Sequence, residues 1–334
     1  MELVGALHVH SIHSDGSGTV REIALAAREA GLDFVILQDH DSLAARSDVG
    51  SGFVEGVFMG VGAEVSPPRN HYLAFGVNEL PSRDLPPQSI VDRVNAGGGF
   101  GFLAHPMDIG SRVLRLPSYA WTALDVQGYT GLEVWNMMSD WISLTQTIPR
   151  TLRVLRHPER HLRGPSPELL ALWDRLNRER FVPGVAGQDL HAYRAGPLTV
   201  FPYRRSFGMV LMHVRVPAIP GDPAAYGAAL LTGIREGRSY FANHALKVPD
   251  RFSFTVGRGA PGDHVRLQAG LSATVTPQGE AVFRLIHDGR ALPEPGPSWP
   301  VAESGSYRVE GRLQGRPWLF TNPIRVLASS GPDE

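Results

Sequence analysis

The stretch ELVGALHVHSIHSDGSG, residues 2–18, decides how the rest of the chain is read. Residues 2–9 are mostly apolar and suit a buried strand. The strand closes on His8 and His10, and residues two apart on a strand share a face. The Gly- and Ser-rich turn that follows carries Asp15 and lets the chain fold back over the strand end. TVREIALAAREAG (19–31) then sets Val20, Ile23, Ala24 and Ala27 at helical spacing. Thr19 and Glu22 fit a capping box, and Gly31 fits the stop. Strand, polar tip, turn and helix make one βα unit.

The pattern recurs. DFVILQDHD (33–41), VFMGVGAEVS (57–66), HYLAFGV (71–77), FGFLAHP (100–106), GLEVWN (131–136) and FVPGVAGQDLHAY (181–193) read as strands with polar tips. PPQSIVDRVNAGGG (86–99), stretches near 141–156 and 167–180, and PAAYGAALLTGIREG (223–237) read as helices. MVLMHVRV (209–216) and SYFANHA (239–245) complete the alternation. An α/β fold follows, with parallel strands covered on both faces and a ligand site at their carboxyl ends. After residue 247 the texture changes to short alternating segments broken by Gly and Pro. The expected organisation is a domain over 1–247, a small antiparallel β domain over 248–328, and a disordered tail over 329–334.

Composition removes several classes. The chain has 334 residues, a net charge of −1 and no cysteine. Disulfides, thiolate metal sites and cysteine nucleophiles are excluded, so any metal must sit on His, Asp and Glu. Near-neutral charge gives no broad pull toward nucleic acid or membrane. No apolar run approaches the roughly 20 residues of a membrane span, and MELVGALHVH lacks the basic start and long apolar core of a signal peptide. A cytoplasmic chain is expected. Lys247 is the only lysine, and the bias toward arginine reflects genome composition or suits phosphate and carboxylate recognition.

The strand tips carry the chemistry. An isolated HxH pair is more often a pair of ordinary histidines than a metal grip, but the other tips change the balance. QDHD supplies His40 between Asp39 and Asp41; GAEVS supplies Glu64 in an apolar strand, where an unpaired carboxylate is costly. His71, His105, Asp189 and His191 follow at later tips. Six of the 13 histidines thus stand at strand ends with carboxylates beside them, which predicts a polynuclear metal site. Asp39 is a candidate to orient a ligand histidine, and Glu133 and Asn136 to orient a ligand or the water; a structural role for each is as plausible. Arg69 and Arg194 are weak candidates to grip substrate. His13 reads as an exposed histidine, and the tryptophans 121, 135, 141 and 173 as core or cavity wall.

The order His8-x-His10, Ser14-Asp15-Gly16, Asp39-His40-Asp41, Glu64, His71, His105-Pro106 and Asp189-x-His191 resembles the PHP (polymerase and histidinol phosphatase) superfamily of metallohydrolases over residues 1 to about 245. GAEVSPPRNHYLAFGV, EVWN and PWLFTNPI look like its carbaryl-hydrolase branch. The resemblance implies a distorted (β/α)7 barrel with an appended β domain, and two or three Zn, Mn or Fe ions. It implies a division of ligands: His8, His10, Glu64 and Asp189 on one ion, Glu64 with His71 and His105 on a second, and Asp15, His40 and His191 on a third. Two ions about 3.5–4 Å apart can share a hydroxide, the expected nucleophile, so no Ser or Cys is needed.

The expected function is a metal-dependent phosphoesterase acting on a small phosphorylated molecule or nucleotide. The alternatives are a metal-dependent hydrolase of an aryl carbamate, ester or amide, and a catalytically silent scaffold with a binding β domain. The expected partner is a small anionic substrate, with no membrane and no nucleic-acid polymer. Residues 107–165, the longest stretch between ligand motifs, are expected to shape the substrate pocket.

Overall fold

The structure is a computed structural model that describes residues 1–196 and 198–329. Residues 330–334, most of the expected tail, lie outside the described residues.

Local signals place the first unit. β1 (Glu2–Val9) leads to α1 (Val20–Glu29). Thr19 Oγ1 accepts from the Glu22 N–H at 3.2 Å, and the Glu22 carboxylate accepts from the Thr19 N–H at 2.8 Å. This reciprocal cap satisfies two donors that the first turn would leave unpaired. In chain order follow β2 (Phe34–Leu37), β3 (Val57–Val61), β4 (Ala63–Val65), β5 (Tyr72–Phe75), α2 (Pro87–Ala96), β6 (Phe100–Leu103), β7 (Gly131–Asn136), α3 (Met137–Ser143), α4 (Ile148–Arg156), α5 (Pro167–Glu179), β8 (Gly184–Gly187), β9 (Val210–Arg215), α6 (Pro223–Arg235) and β10 (Ser239–Asn243). The fold is mixed α/β.

The array is only partly parallel. β1, β2 and β3 pair in parallel, and so do β6, β7 and β8. β5 runs antiparallel to both β4 and β6. Only residues 66–71 join β4 to β5, and a parallel crossover needs a dozen or more. β9 pairs antiparallel with β1 and with β10. An apolar strand pattern records burial and not direction, so these reversals were not visible in it.

Two sheets meet at the strand tips. The five strands β4 to β8 form one sheet; β1, β2 and β3 belong to another. They touch at two isolated bridges, His40 with Glu64 and Val9 with Leu190. The Glu64 N–H donates to Asp39 O (3.2 Å), and the His10 N–H to Leu190 O (2.9 Å). Among the described residues no closed barrel ladder forms; the two sheets meet at these seams, and the Asn322 amide also binds the Gly184 backbone of β8. The seams are made by the candidate ligands and their immediate neighbours.

Most of the C-terminal strands continue the larger sheet; those at 254–256, 272–275 and 298–300 form a separate three-stranded sheet. The C-terminal strands are β11 (Phe254–Val256), β12 (His264–Arg266), β13 (Ser272–Val275), β14 (Val282–His287), β15 (Ser298–Pro300), β16 (Gly305–Leu313), β17 (Arg316–Thr321) and β18 (Ile324–Leu327). Their pairing is antiparallel except for β12 with β18, which is parallel. β17 pairs with β10, so both strands serve two cores. Phe241 and Phe320 enter the core around β1, while Tyr240, Ala242, Trp318 and Leu319 enter a second core with Phe254 and Trp299. On β10 the period-2 alternation of a strand sends neighbours to opposite sides, while on β17 the adjacent Trp318 and Leu319 share the second core. A buried Arg308 on β16 forks onto Asp174 of α5, at 2.6 and 2.7 Å. No helix among the described residues is long and apolar enough to cross a membrane.

Candidate metal centre

All nine predicted ligand residues meet in one cluster. Glu64, on β4 and fully buried, stands at its centre. Its Oε1 lies 2.9 Å from His71 Nδ1 and 3.0 Å from His105 Nε2. Its Oε2 lies 2.9 Å from His40 Nδ1, 3.3 Å from His8 Nε2 and 3.6 Å from His10 Nε2. Asp189 Oδ1 faces His10 Nε2 at 3.4 Å and His8 Nε2 at 3.6 Å. Asp15 Oδ1 faces His191 Nε2 at 3.2 Å, His40 Nε2 at 3.7 Å and His10 Nδ1 at 3.8 Å. Three donor groups are close enough to hold an ion: His8, His10 and Glu64; His40, Glu64 and His71; and His10, Asp15, His40 and His191.

The donor atoms fit a cation better than they fit one another. His8 Nε2, His10 Nε2 and Glu64 Oε2 are buried, converge, and have no hydrogen-bond partner. Leaving such an atom unpaired costs about 1–3 kcal/mol, and a divalent ion would satisfy all three. The donors are imidazole and carboxylate only, a set that suits Zn, Mn or Fe.

The backbone is bent to bring them there. His8, His105 and Asp189 have φ of 59°, 30° and 53°, a region that residues other than glycine rarely occupy. Strain of this kind persists where surrounding structure holds it, commonly at functional sites. Gly187 permits the closest approach, because a Cβ there would run into Glu133 Oε1 and crowd His8.

Outer partners set the imidazole tautomers. Glu133, fully buried on β7, faces His8 Nδ1 at 2.8 Å, which leaves Nε2 free toward Glu64. Its other oxygen accepts from the His105 N–H (2.7 Å) and from Asn136 Nδ2 (2.9 Å). Asn136 also donates to Asp189 Oδ2 at 3.3 Å, and it caps α3 through the Ser139 N–H. His191 Nδ1 faces the Asp189 carbonyl at 2.9 Å, which leaves its Nε2 for Asp15. Asp39 touches no histidine. It accepts from the Ser11 N–H (2.7 Å), Ser11 Oγ (2.8 Å) and Ser14 Oγ (2.6 Å), and so holds the turn that follows His10.

Other candidates lie elsewhere. Arg69 and Arg194 are exposed, and Arg194 acts electrostatically on Glu22 of the α1 cap. Among the described residues no arginine pairs with a cluster carboxylate. His13 pairs with Asp48 at 2.8 Å. The tryptophans 121, 135, 141 and 173 are buried, and Trp121 Nε1 donates to the His71 carbonyl at 2.8 Å.

Sequence reading missed two partners. The Ser66 hydroxyl donates to the Glu64 carbonyl (2.9 Å) and accepts from His40 Nδ1 (2.7 Å), which turns His40 Nε2 toward Asp15. The Tyr193 hydroxyl donates to Asp15 Oδ2 at 3.1 Å. Ser66 follows Glu64, and Tyr193 follows His191, each by two positions; that same-face spacing was the available signal.

No family model matches the chain, and no curated protein matches it in sequence. It is similar to a two-domain protein from Bacteroides vulgatus ATCC 8482 containing a predicted PHP-like metal-dependent phosphoesterase. That match has 14% identity, covers 97% of this chain and 95% of the other, and has a TM-score of 0.45. A candidate metal-dependent phosphoesterase from Bifidobacterium adolescentis matches at 18% identity, over 61% of this chain and 94% of the other, with a TM-score of 0.33. An amidohydrolase from Chromobacterium violaceum, with sulfate bound and no metal, matches at 16% identity, over 56% and 87%, with a TM-score of 0.32.

Charge in the cluster is balanced by protons when no cation is bound. Burial works against charge on His8, but Glu133, Asp189 and Glu64 outweigh it and hold the imidazole well above its usual range. Burial likewise opposes charge on His40 and His105, yet contact with Glu64 carries each up to about 9. Burial would raise Glu64 and Asp189, but the surrounding imidazoles, His8 foremost, hold both well below the carboxylate range. Burial and the neighbouring His191 push His10 down to about 4. At pH 7.5 His40 and His105 therefore carry protons that ion uptake must displace. Adding Mn²⁺ or Zn²⁺ to metal-free protein in weak buffer should release protons. Apparent affinity should rise with pH and level off as pH passes about 9. A proton-release assay with a pH indicator checks this, and an affinity flat between pH 6.5 and 8.5 would contradict it.

A cavity of about 780 Å³ lies against the His105, Glu133 and Asn136 side of the cluster. Its outer walls include Ile109, Leu169 and, from the C-terminal sheet, Phe320.

Proposed function

We propose that the chain is a metal-dependent hydrolase of the PHP type, and that it cleaves a phosphoester of a small molecule or nucleotide. The observation that carries this is the sharing of Glu64 among five imidazoles, which creates overlapping donor groups in place of a single one. Several cations side by side suit a substrate with several anionic oxygens. When bound, such ions supply Lewis acidity and acidify a water.

The chain's own residues do the rest. His8, His10, Glu64 and Asp189 would hold one ion, Glu64 with His71 and His105 a second, and Asp15, His40 and His191 a third. Glu133 holds His8 in the tautomer that points Nε2 at the cluster, and Asn136 steadies both Glu133 and Asp189. The cavity beside His105 would seat the organic part of the substrate, with segments of 107–165 and of the C-terminal sheet as its walls. In this reading the strand ring is a distorted (β/α)7 barrel whose closure is the pair of seams at the ligands.

A second reading is favoured by one observation. The cavity wall carries Trp135, Val134, Leu169, Met107 and Phe320 beside Arg163 and Arg312, and among the described residues no arginine pairs with a cluster carboxylate. That lining suits an aryl carbamate, ester or amide, where the same ions would act on a carbonyl.

One assay separates the readings. Manganese- or zinc-loaded protein is offered p-nitrophenyl phosphate, bis-p-nitrophenyl phosphate and a p-nitrophenyl carbamate in parallel, and p-nitrophenol release is followed. Preference for either phosphate supports the first reading. Turnover of the carbamate alone replaces it with the second. No turnover of any substrate by fully metal-loaded protein would revive the silent scaffold.

A further inference from the structure

Asp15 differs from the other candidate ligands. It sits in a loop, and its side chain is 43% exposed, against 0–1% for His8, His10 and Glu64. Its two oxygens have separate roles. Oδ1 faces His191, His40 and His10, while Oδ2 accepts from the Tyr193 hydroxyl. The Tyr193 ring also lies flat on His191, with centroids 4.9 Å apart and planes 6° apart. His191 stacks in turn on His10 at 4.0 Å. One side chain thus orders two donors of the same group. The Asp15 loop is tied to the same segment, because the Ser17 N–H donates to His191 O (2.9 Å) and Ser17 Oγ to Ala192 O (2.6 Å).

We propose that Tyr193 is the positioning residue of an exchangeable metal subsite formed by Asp15, His40 and His191, which empties ahead of the buried donors around Glu64 even though His40 also faces Glu64. The proposal rests on the metal-centre reading above. A half-exposed carboxylate on a loop must lose rotamer freedom before it can hold an ion. A hydrogen bond to its outward oxygen removes that freedom in advance. The buried donors do not depend on it, since His8 is fixed by Glu133 and Asp189 by Asn136. The exposure of Asp15 also lets solvent and chelators reach this subsite first.

The test uses the full chain. Wild type, Tyr193→Phe and Tyr119→Phe are titrated with Mn²⁺, then stripped stepwise with a chelator, and ions per chain are counted by elemental analysis. Tyr119 is the matched control. Its ring lies 4.9 Å from that of His71, but its hydroxyl donates to no candidate ligand among the described residues. Wild type should show one ion that leaves ahead of the others. Tyr193→Phe should weaken that ion by about 10–100-fold and leave the rest, with an unchanged melting temperature for the metal-free protein. Tyr119→Phe should match wild type. Equal affinity for every ion in Tyr193→Phe overturns the proposal and leaves the metal centre standing. Uniform weakening of all ions also overturns it, because Tyr193 would then support the whole site. A wild type with no separable ion overturns it as well. A wild type that binds no ion removes the metal-centre reading itself.

Discussion

Replacing Glu64 with Gln is expected to leave a folded chain that has lost turnover by more than about a hundredfold and no longer holds a full complement of ions. A hundredfold is the upper end of what removing an outer partner of a ligand costs, and Glu64 is more central than that. Both of its oxygens accept from, or face, imidazole nitrogens, five in all. Gln keeps one oxygen and turns the other into an N–H₂ donor. Whichever way the amide lies, a donor points where cations and imidazole N–H groups need an acceptor. The fold should survive, because the change is nearly isosteric and the backbone of Glu64 stays paired with Leu73 and Asp39. The metal-free protein should show it too. Glu64 is the group that raises His40 and His105, so in the variant both should titrate closer to an ordinary histidine, and fewer protons should leave on metal addition. Elemental analysis, circular dichroism and the p-nitrophenol assay give the three readouts. Wild-type metal content and activity in a folded Glu64→Gln variant would remove the shared-carboxylate assignment.

Arg308→Met should destabilise the chain by about 3 kcal/mol, within the range for breaking one partner of a buried pair. Arg308 is 3% exposed. It forks onto Asp174, reaches Glu310 at 2.8 Å, and lies over the Trp173 ring at 5.1 Å. Removing it strands the Asp174 carboxylate between α5 and β16. The Asp174 side chain is 11% exposed, so a little water can reach it, which argues for the low end of the range. The double variant Asp174→Leu, Arg308→Met should recover part of the loss, since it removes the stranded Asp174 charge and leaves only Glu310, which is more exposed, without its partner. Urea unfolding of wild type, both single variants and the double variant measures the coupling. A single variant within about 1 kcal/mol of wild type would mean that the pair does not hold the C-terminal sheet to the helix. Metal content should not change in any of them, because neither residue touches the cluster.

Much of the site could be read before the fold was known, for a local reason. The Thr19–Glu22 cap, the Gly31 stop and the Ser166 cap of α5 act over three or four residues, so a short stretch of sequence contains the whole interaction. The ligand candidates other than Asp15 stood out because each is a polar residue at the end of an apolar strand, where burial without a partner is costly. By itself the sequence determined the starts of α1, α2, α5 and α6, the strand tips and the absence of any thiol chemistry, whereas the one helical stretch expected near 141–156 is two helices, α3 and α4.

Tertiary structure decided what depends on pairing at a distance. The reversal of β5, β9 and β10 depends on which strands meet, and an apolar run carries no direction. The seams at His40–Glu64 and Val9–Leu190 join residues far apart in sequence, as does the Arg308–Asp174 fork. Of the residues with left-handed backbone, His8 and Asp189 adjoin the Val9–Leu190 seam, and His105 is tied by its N–H to Glu133 on another strand. Which nitrogen of His8 and His191 faces the cluster was settled by Glu133 and the Asp189 carbonyl. A ligand can be named from its residue type; its aim is set by what stands behind it, and only the fold brings that partner into place.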